Sequence, residues 1–141
     1  MPGPQRGVTA SLEELCTVLS GLLENRPAVI QQGIPLAQVG GRPFDIRVLA
    51  QKDSRGHWVV TGAAARVAPP GSFLTNVGAG GEAVPLERVI LHMAAGDPGP
   101  ADAAAQRVRE VSLAVCRALD ARWGALGELG IDLGFDPSWK L

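Results

Sequence analysis

Two stretches of alternating residues, Phe44–Gln51 and His57–Val67, constrain the fold of this chain more than any other feature. In the first stretch apolar residues recur at every second position, which is the period of a β-strand with one buried face. The segment Asp53–Gly56 between the two stretches is rich in turn-forming residues. The sequence therefore predicts an antiparallel hairpin that packs one of its faces on a core.

The register of this hairpin follows from its turn. If Lys52 pairs with His57, the pairing separates an apolar face from a more polar one. The apolar face then holds Phe44, Ile46, Val48, Val59, Thr61, Ala63, Ala65 and Val67. The other face holds Asp45, Arg47, Leu49, Trp58, Val60, Gly62, Ala64 and Arg66.

Helical periodicity marks three further segments. Residues 9–24 carry a leucine stripe, and Ser11 and Glu14 are spaced as a capping box at its start. Pro85–Met93 is predicted as a short helix, and Ala101–Trp123 as a long one with apolar residues at helical spacing.

Extended segments complete the pattern. Ala28–Ile34 and Gly127–Phe135 are predicted as strands, and Ser72–Val77 as a third extended piece. Hairpins and helices that are segregated along a chain are typical of an α+β fold. We therefore expect an antiparallel sheet with helices packed on one face.

Length and composition bound the function. The 141 residues suffice for one core and are few for two, and a net charge of −1 argues against a nucleic-acid partner. No apolar run reaches the roughly 20 residues that a membrane span needs, and no signal peptide is seen, so we expect a cytoplasmic protein without membrane contact.

Cys16 and Cys116 lie far apart, which favours two free, buried thiols over a disulfide or a metal pair.

The polar face of the hairpin is the first candidate site. Asp45 and Arg47 leave one strand on the same side, about 7 Å apart, and Arg66 joins them. The register places Ala64 opposite Asp45 and Gly62 opposite Arg47, which leaves open space beside two guanidinium groups. Guanidinium groups bind phosphates and carboxylates through paired hydrogen bonds. The alternative is a solvated face with an Asp–Arg pair worth less than about 1 kcal/mol.

Two further polar residues could add to such a site. Asn76 precedes the glycine-rich segment Gly78–Gly81, where the main chain can approach an anion closely; a plain turn is the alternative. Asp132 projects from an otherwise apolar strand. A carboxylate in that position could ligate Mg²⁺ together with a substrate phosphate, and a lone surface residue is the alternative.

Four segments follow one another along the chain: QQGIPL, RPFDIRVLAQKDSRGHWVVTGAAARV, SFLTNVGAGGEAVPL and GALGELGIDLG. In this order they resemble the ATP-grasp domain of the endospore coat-associated YheC/YheD-type proteins. They are more distantly similar to the ATP-grasp ligases that add glutamate to ribosomal protein. We expect residues 1–27 to form an N-terminal tail and helix, and residues 28–141 a partial ATP-grasp domain that resembles the C-terminal subdomain of that fold.

The resemblance implies that ATP lies between two α+β subdomains. Enzymes of this type activate a carboxylate as an acyl phosphate, which an amine or a thiol then attacks. Gln31, Gln32 and Ile34 match the hinge strand that meets adenine. Asp45 and Arg47 match the Asp-x-Arg strand, whose arginine faces the phosphate or the acyl phosphate.

The remaining matched positions concern phosphate and metal. Arg66 and Asn76 match the next polar positions that line the site, and Asp132 matches the first Mg²⁺-binding carboxylate. The sequence contains no Glu-x-Asn after Asp132 and no lysine before Gln31, where the family places metal ligands and phosphate clamps. The resemblance thus leaves three alternatives: an ATP-dependent ligase associated with the spore coat, a non-catalytic structural or binding remnant, and a fragment of a longer enzyme.

Overall fold

The computed structural model describes residues 9–23, 27 and 33–141 of the chain. The chain divides into two compact units, Met1–Gly33 and Ile34–Leu141. Across the described ranges, no helix combines the length and the apolar character that crossing a membrane requires.

Helix α1 (Leu12–Leu23) belongs to the first unit and confirms the predicted helix over its described part. The Ser11 hydroxyl accepts a hydrogen bond from the Glu14 N–H at 3.1 Å, and the Glu14 carboxylate accepts one from the Ala10 N–H at 2.9 Å. These bonds satisfy donors that a helix start leaves unpaired. Cys16 is exposed because α1 has no buried residue, so the expectation of two buried thiols is wrong for this one.

Within the described residues, the second unit is built on a five-stranded antiparallel sheet. Its strands are β1 (Gln38–Val39), β2 (Arg42–Lys52), β3 (Trp58–Val67), β4 (Glu82–Pro85) and β5 (Glu128–Leu133). β2 is central, because it pairs with β3 along one side and with β5 and the short β1 along the other. β4 pairs with the outer side of β3.

The long helix α3 (Pro98–Trp123) confirms the predicted one but begins earlier than Ala101. The Asp97 carboxylate caps its start by accepting a hydrogen bond from the Gly99 N–H at 2.9 Å. Proline occupies the first helical position, where no N–H is needed. These two features fix the start of α3 at Pro98, before the predicted start at Ala101.

The core lies between the sheet and the helices α2 (Leu86–Met93) and α3. Phe44, Ile46, Val48 and Ala50 on β2 are wholly buried, as the alternation predicted for the first three. Burying each large side chain contributes about 1.5–3 kcal/mol. Buried residues from the other elements include Val67, Val89, Ile90, Val108, Cys116 and Ile131.

The hairpin register differs from the predicted one in two places. At the tip Lys52 pairs with Trp58, so the predicted partner His57 is wrong by one residue. A β-bulge between Leu49 and Ala50 of β2 then shifts the pairing by a further residue, because a bulge sets two residues of one strand against one of the other.

The bulge also changes which residues near the hairpin tip face the core. Trp58 and Val60 pack half-buried against the core, although the sequence predicted them on the polar face. Val59 and Thr61 were predicted on the apolar face; Val59 instead pairs with Gln51, and Thr61 is left unpaired and exposed. The predicted faces are wrong at these four positions and confirmed at the others.

Two shorter segments differ from the predictions as well. Ser72–Val77 is irregular rather than extended and leads into a 3₁₀ turn, Val77–Ala79. β4, which the sequence analysis did not predict, follows that turn. The predicted α+β class, an antiparallel sheet with helices on one face, is confirmed.

Candidate functional site

Four charged side chains meet on the face of the sheet that α2 and α3 leave open. Asp45 and Arg47 project from β2, Arg66 from β3 and Asp132 from β5, and we call these four residues the charged quartet. Strand pairing places Arg66 directly opposite Asp45, and Asp132 directly opposite Arg47. Directly paired residues hold their side chains next to each other on one face. Side chains from three strands therefore lie next to one another in the quartet.

The pairing within the hairpin corrects the predicted one. Arg66 rather than Ala64 lies opposite Asp45, and Ala64 rather than Gly62 lies opposite Arg47. The predicted partners are wrong by two residues, because a register counted from the turn contains neither the one-residue shift at the tip nor the bulge. The correction makes Arg66 the direct partner of Asp45 instead of a more distant neighbour.

Asp45 and Arg66 form a largely buried, two-point ion pair. The Arg66 Nε donates to Asp45 Oδ1 at 2.7 Å, and Nη2 donates to Oδ2 at 2.5 Å. The side chains are only 17% and 11% exposed, so water screens them less than an ordinary surface pair. Hydrogen bonding to Asp45 raises the pKa of Arg66 above its usual value, although burial acts in the opposite direction. Arg66 is therefore charged and held in place.

Asp132 connects the other half of the quartet. Its Oδ1 lies 3.1 Å from Arg47 Nε and 3.1 Å from Arg66 Nη2. The Asp132 and Arg47 side chains are about half exposed, at 51% and 48%. Two guanidinium groups from different strands thus converge on one oxygen atom at the open surface.

Thr75 is the residue of this site that the sequence analysis missed. Its hydroxyl donates to Asp45 Oδ2 at 2.8 Å, and the residue is buried. Asp45 therefore accepts three hydrogen bonds, which engage both of its oxygens. We infer that Asp45 positions Arg66 and holds the segment that follows β3. The only sequence signal for Thr75 was its place directly before Asn76.

The main-chain N–H groups of the glycine-rich segment Gly78–Gly81 are used in local hydrogen bonds. All four of its N–H groups donate to oxygen atoms of Asn76 or Val77, at 2.9–3.1 Å. This arrangement does not favour the anion cradle that the glycines suggested. Asn76 caps the 3₁₀ turn through its side-chain oxygen and lies exposed next to Thr75.

Beyond Arg47 the open face carries few side chains, because glycines flank Leu49 on both neighbouring strands. Leu49 is the next β2 residue on this face, and it pairs with Gly62 of β3 and with Gly130 of β5. The Arg47 guanidinium lies over Gly130, where an added Cβ would come within 3.0 Å of Nη1. Glycine at this position therefore lets the Arg47 side chain lie close against the sheet.

Only part of the predicted adenine-binding hinge lies among the described residues. Gln31 and Gln32 lie outside the described residues. Ile34, the last residue of the predicted strand Ala28–Ile34, lies in an irregular segment before β1 and is 68% exposed, and residues 28–32 of that strand lie outside the described residues.

The described residues do not assemble a complete magnesium site. Among residues 9–23, 27 and 33–141, no group of three or more His, Cys, Asp or Glu side chains could hold a metal ion together. Asp45 has both oxygens engaged, and Asp132 has one oxygen shared between two arginines. Mg²⁺ usually takes one or two protein carboxylates and completes its octahedral set with water and substrate phosphates, and Asp132 can supply one such carboxylate ligand.

Comparison with known proteins now identifies the family. The sequence model of the family described as YheC/D like ATP-grasp matches residues 3–141. The chain belongs to this family. Endospore coat-associated protein YheD of Bacillus subtilis (strain 168) is 31% identical over 114 residues, which are 80% of this chain and 24% of that protein. The chain thus spans about a quarter of the length of that curated relative, and no solved structure shows a significant match.

Membership in the YheC/D-like ATP-grasp family allows the fold and the charged quartet to be compared with what that family implies. An antiparallel sheet covered by helices on one face is consistent with a partial ATP-grasp fold. ATP-grasp proteins in general use ATP and a divalent metal. Of the residues that the resemblance assigned to the site, the structure brings Asp45, Arg47, Arg66 and Asp132 together, and it ties the segment with Asn76 to them through Thr75.

Proposed function

We propose that the open face of this chain forms the phosphate-facing floor of an ATP-dependent carboxylate–amine or carboxylate–thiol ligase of the ATP-grasp type. The observation that carries the proposal is the convergence of Arg47 and Arg66 on one oxygen of Asp132. Two guanidinium groups directed at one oxygen atom are an arrangement that suits a phosphate or an acyl phosphate.

The two arginines would contribute in different ways. Arg66 is fixed by Asp45 and mostly buried, so its donors are oriented before a phosphate arrives. Arg47 is half exposed, so its side chain can adjust to the ligand. Preorganised positive charge is the main contribution that a protein makes to phosphoryl transfer.

ATP would supply the phosphoryl group that activates the carboxylate substrate before an amine or a thiol attacks. For Mg²⁺, the donor set supports only a single ligand from this part of the chain, the free oxygen of Asp132. Asn76, one residue from Thr75, would line the edge of the same site. Adenine recognition by Gln31, Gln32 and Ile34 stays a prediction from the resemblance.

Nucleotide binding by the intact chain tests this proposal. We expect calorimetry with millimolar Mg²⁺ and ATP to detect binding, and Arg47→Gln to weaken it roughly tenfold or more, because a charge-assisted hydrogen bond is lost. Arg107→Gln is the matched control, since Arg107 is an exposed arginine on α3, outside the quartet. Absence of binding to the unmodified chain, or equal loss in both variants, would overturn the proposal.

A second candidate function is a non-catalytic binding or structural module. The observation in its favour is that the quartet contains two positive and two negative groups that satisfy one another, without a complete metal site among the described carboxylates. It predicts that saturating Mg²⁺–ATP leaves the melting temperature unchanged. A rise of several degrees would exclude it, because a ligand that binds only the folded state stabilises that state.

We also propose that the protein is associated with the spore coat after synthesis in the cytoplasm. The support is the name of the B. subtilis relative, an endospore coat-associated protein. A fluorescent fusion in sporulating cells tests this placement, and a signal that stays spread through the mother cell would contradict coat association.

A further inference from the structure

We propose that Asp132 occupies the anion position between Arg47 and Arg66, and thereby determines which anions this face accepts. In this role Asp132 is a specificity-determining residue that competes with the ligand. The inference rests on the proposed function for the identity of the ligand, a polyphosphate chain such as that of a nucleoside triphosphate.

Asp132 lies where the two arginines converge. Its Oδ1 forms ion pairs with Arg47 Nε and with Arg66 Nη2, each at 3.1 Å. These two nitrogens belong to different strands, and a phosphate oxygen in the same place would lie within reach of both. The carboxylate therefore fills the position that the arginines offer to an anion.

The two carboxylates that contact Arg66 lie at different distances from it. Its contacts to Asp45 measure 2.5 and 2.7 Å, whereas its contact to Asp132 measures 3.1 Å. Charge-assisted hydrogen bonds are typically about 2.7–2.9 Å long, so the Asp132 contact is the longer and weaker one. Asp45 is the permanent partner of Arg66, and Asp132 is the replaceable one.

The residues of the quartet also differ in exposure. Asp45 and Arg66 are mostly buried, whereas Asp132 and Arg47 are half exposed to water. Ion pairs that are screened by water contribute little and exchange easily. A ligand can therefore displace the Asp132 carboxylate and leave the Asp45–Arg66 pair intact.

The net charge of the quartet affects which anions it attracts. The quartet sums to zero, so an anion that approaches this face meets two positive groups already neutralised. Only an anion of higher charge than a carboxylate gains by replacing Asp132, which favours polyphosphates over monovalent anions. Neutralising Asp132 leaves one net positive charge between the arginines.

This inference makes a prediction opposite to that of a pure metal-ligand role. If Asp132 acted only through Mg²⁺, Asp132→Asn would leave metal-free anion binding unchanged. If Asp132 occupies the anion position, the same substitution raises the affinity for an anion in the absence of metal. Inorganic tripolyphosphate in buffer with EDTA is the probe that separates the two.

We expect Asp132→Asn to bind tripolyphosphate roughly fivefold or more tightly than the unmodified chain, because a competing ion pair has been removed. Asp102→Asn, on the exposed surface of α3, is the control, since it makes the same change of net charge elsewhere. We expect the gain to be lost when Arg47→Gln is combined with Asp132→Asn.

Three results would overturn the inference: equal or weaker binding by Asp132→Asn, an equal gain in Asp102→Asn, or a gain that survives Arg47→Gln. The outcome is separable from that of the proposed function. A chain that binds Mg²⁺–ATP but gains nothing from Asp132→Asn refutes only this inference. A chain that binds no Mg²⁺–ATP, yet gains tripolyphosphate affinity as described, refutes only the ligase proposal.

Discussion

Lys52 and Asp120 join the tip of the hairpin to the last part of α3. The Lys52 Nζ lies 2.9 Å from one carboxylate oxygen of Asp120 and 2.8 Å from the other. The Trp58 indole N–H donates to the same carboxylate at 3.3 Å, and Lys52 Nζ lies 5.3 Å from the centre of the Trp58 ring. This cluster holds the tip against the helix side of the sheet.

The cluster predicts a pH-dependent stability. Hydrogen bonding to Lys52 is the main cause that lowers the pKa of Asp120 below its ordinary value of 3.8. A carboxyl with a lowered pKa stabilises the fold above its unfolded pKa, and this contribution is lost as the pH falls through the folded pKa. We expect Asp120→Asn to lower the melting temperature by a few degrees at pH 7 and to match the unmodified chain well below pH 3.8. Melting curves against pH measure this, and a difference that persists unchanged in acid would contradict it.

Thr75 supports a prediction about the segment after β3. Thr75→Val removes a hydrogen bond to the largely buried Asp45 carboxylate, so we expect a loss of about 1–3 kcal/mol in the free energy of unfolding. Thr75→Ser, which keeps the hydroxyl, should lose less. Thr61→Val is the control, because Thr61 is exposed and its hydroxyl makes only a long contact of 3.4 Å with the Leu49 carbonyl. Urea denaturation measures all three, and equal losses in Thr75→Val and Thr61→Val would refute the assigned role.

Gly81 is predicted to tolerate no side chain. An added Cβ would lie 2.1 Å from the Thr75 carbonyl oxygen, so Gly81→Ala must displace the main chain of the glycine-rich segment. We expect a destabilisation of about 1–3 kcal/mol or more. Gly62→Ala, with open space around its Cβ, should change stability by less than about 1 kcal/mol. Thermal unfolding of the two variants decides the matter, and similar melting temperatures would contradict the close contact.

The two cysteines are predicted to differ in reactivity. Cys16 is exposed on α1, whereas Cys116 is buried in the core, and burial raises the pKa of the Cys116 thiol. Because the thiolate is the reactive form, we expect Cys16 alone to react quickly with a thiol reagent in the folded protein. Mass spectrometry after brief alkylation measures this. Both cysteines should react in denaturant, and rapid modification of Cys116 without it would count against the buried position.

The main features of the fold could be predicted because they depend on local patterns. The alternation on β2 identified Phe44, Ile46 and Val48 as core residues, and the same alternation placed Asp45 and Arg47 on the opposite face. Because side chains alternate between the two faces of a strand, burying one set of residues determines which residues lie on the other face. Helical periodicity identified α3 for the same reason.

The remaining features depend on contacts between distant residues. The bulge allows Trp58 to face α3 and reach Asp120, which lies 62 residues away in the sequence. No local sequence pattern indicates a contact between residues that far apart. The hydrogen bond from Thr75 to Asp45 likewise joins residues 30 positions apart. The pairing of Arg66 with Asp45 was missed because it follows from the bulge together with the one-residue shift at the tip.

β2 carries four wholly buried core residues on one side and half of the charged quartet on the other. Two of the side chains proposed to meet a ligand thus project from a strand that becomes free only when much of the domain opens. A core variant such as Ile46→Ala should weaken anion binding without touching the anion. Loss of binding therefore identifies a contact residue only when the variant also unfolds at the same denaturant concentration as the unmodified protein.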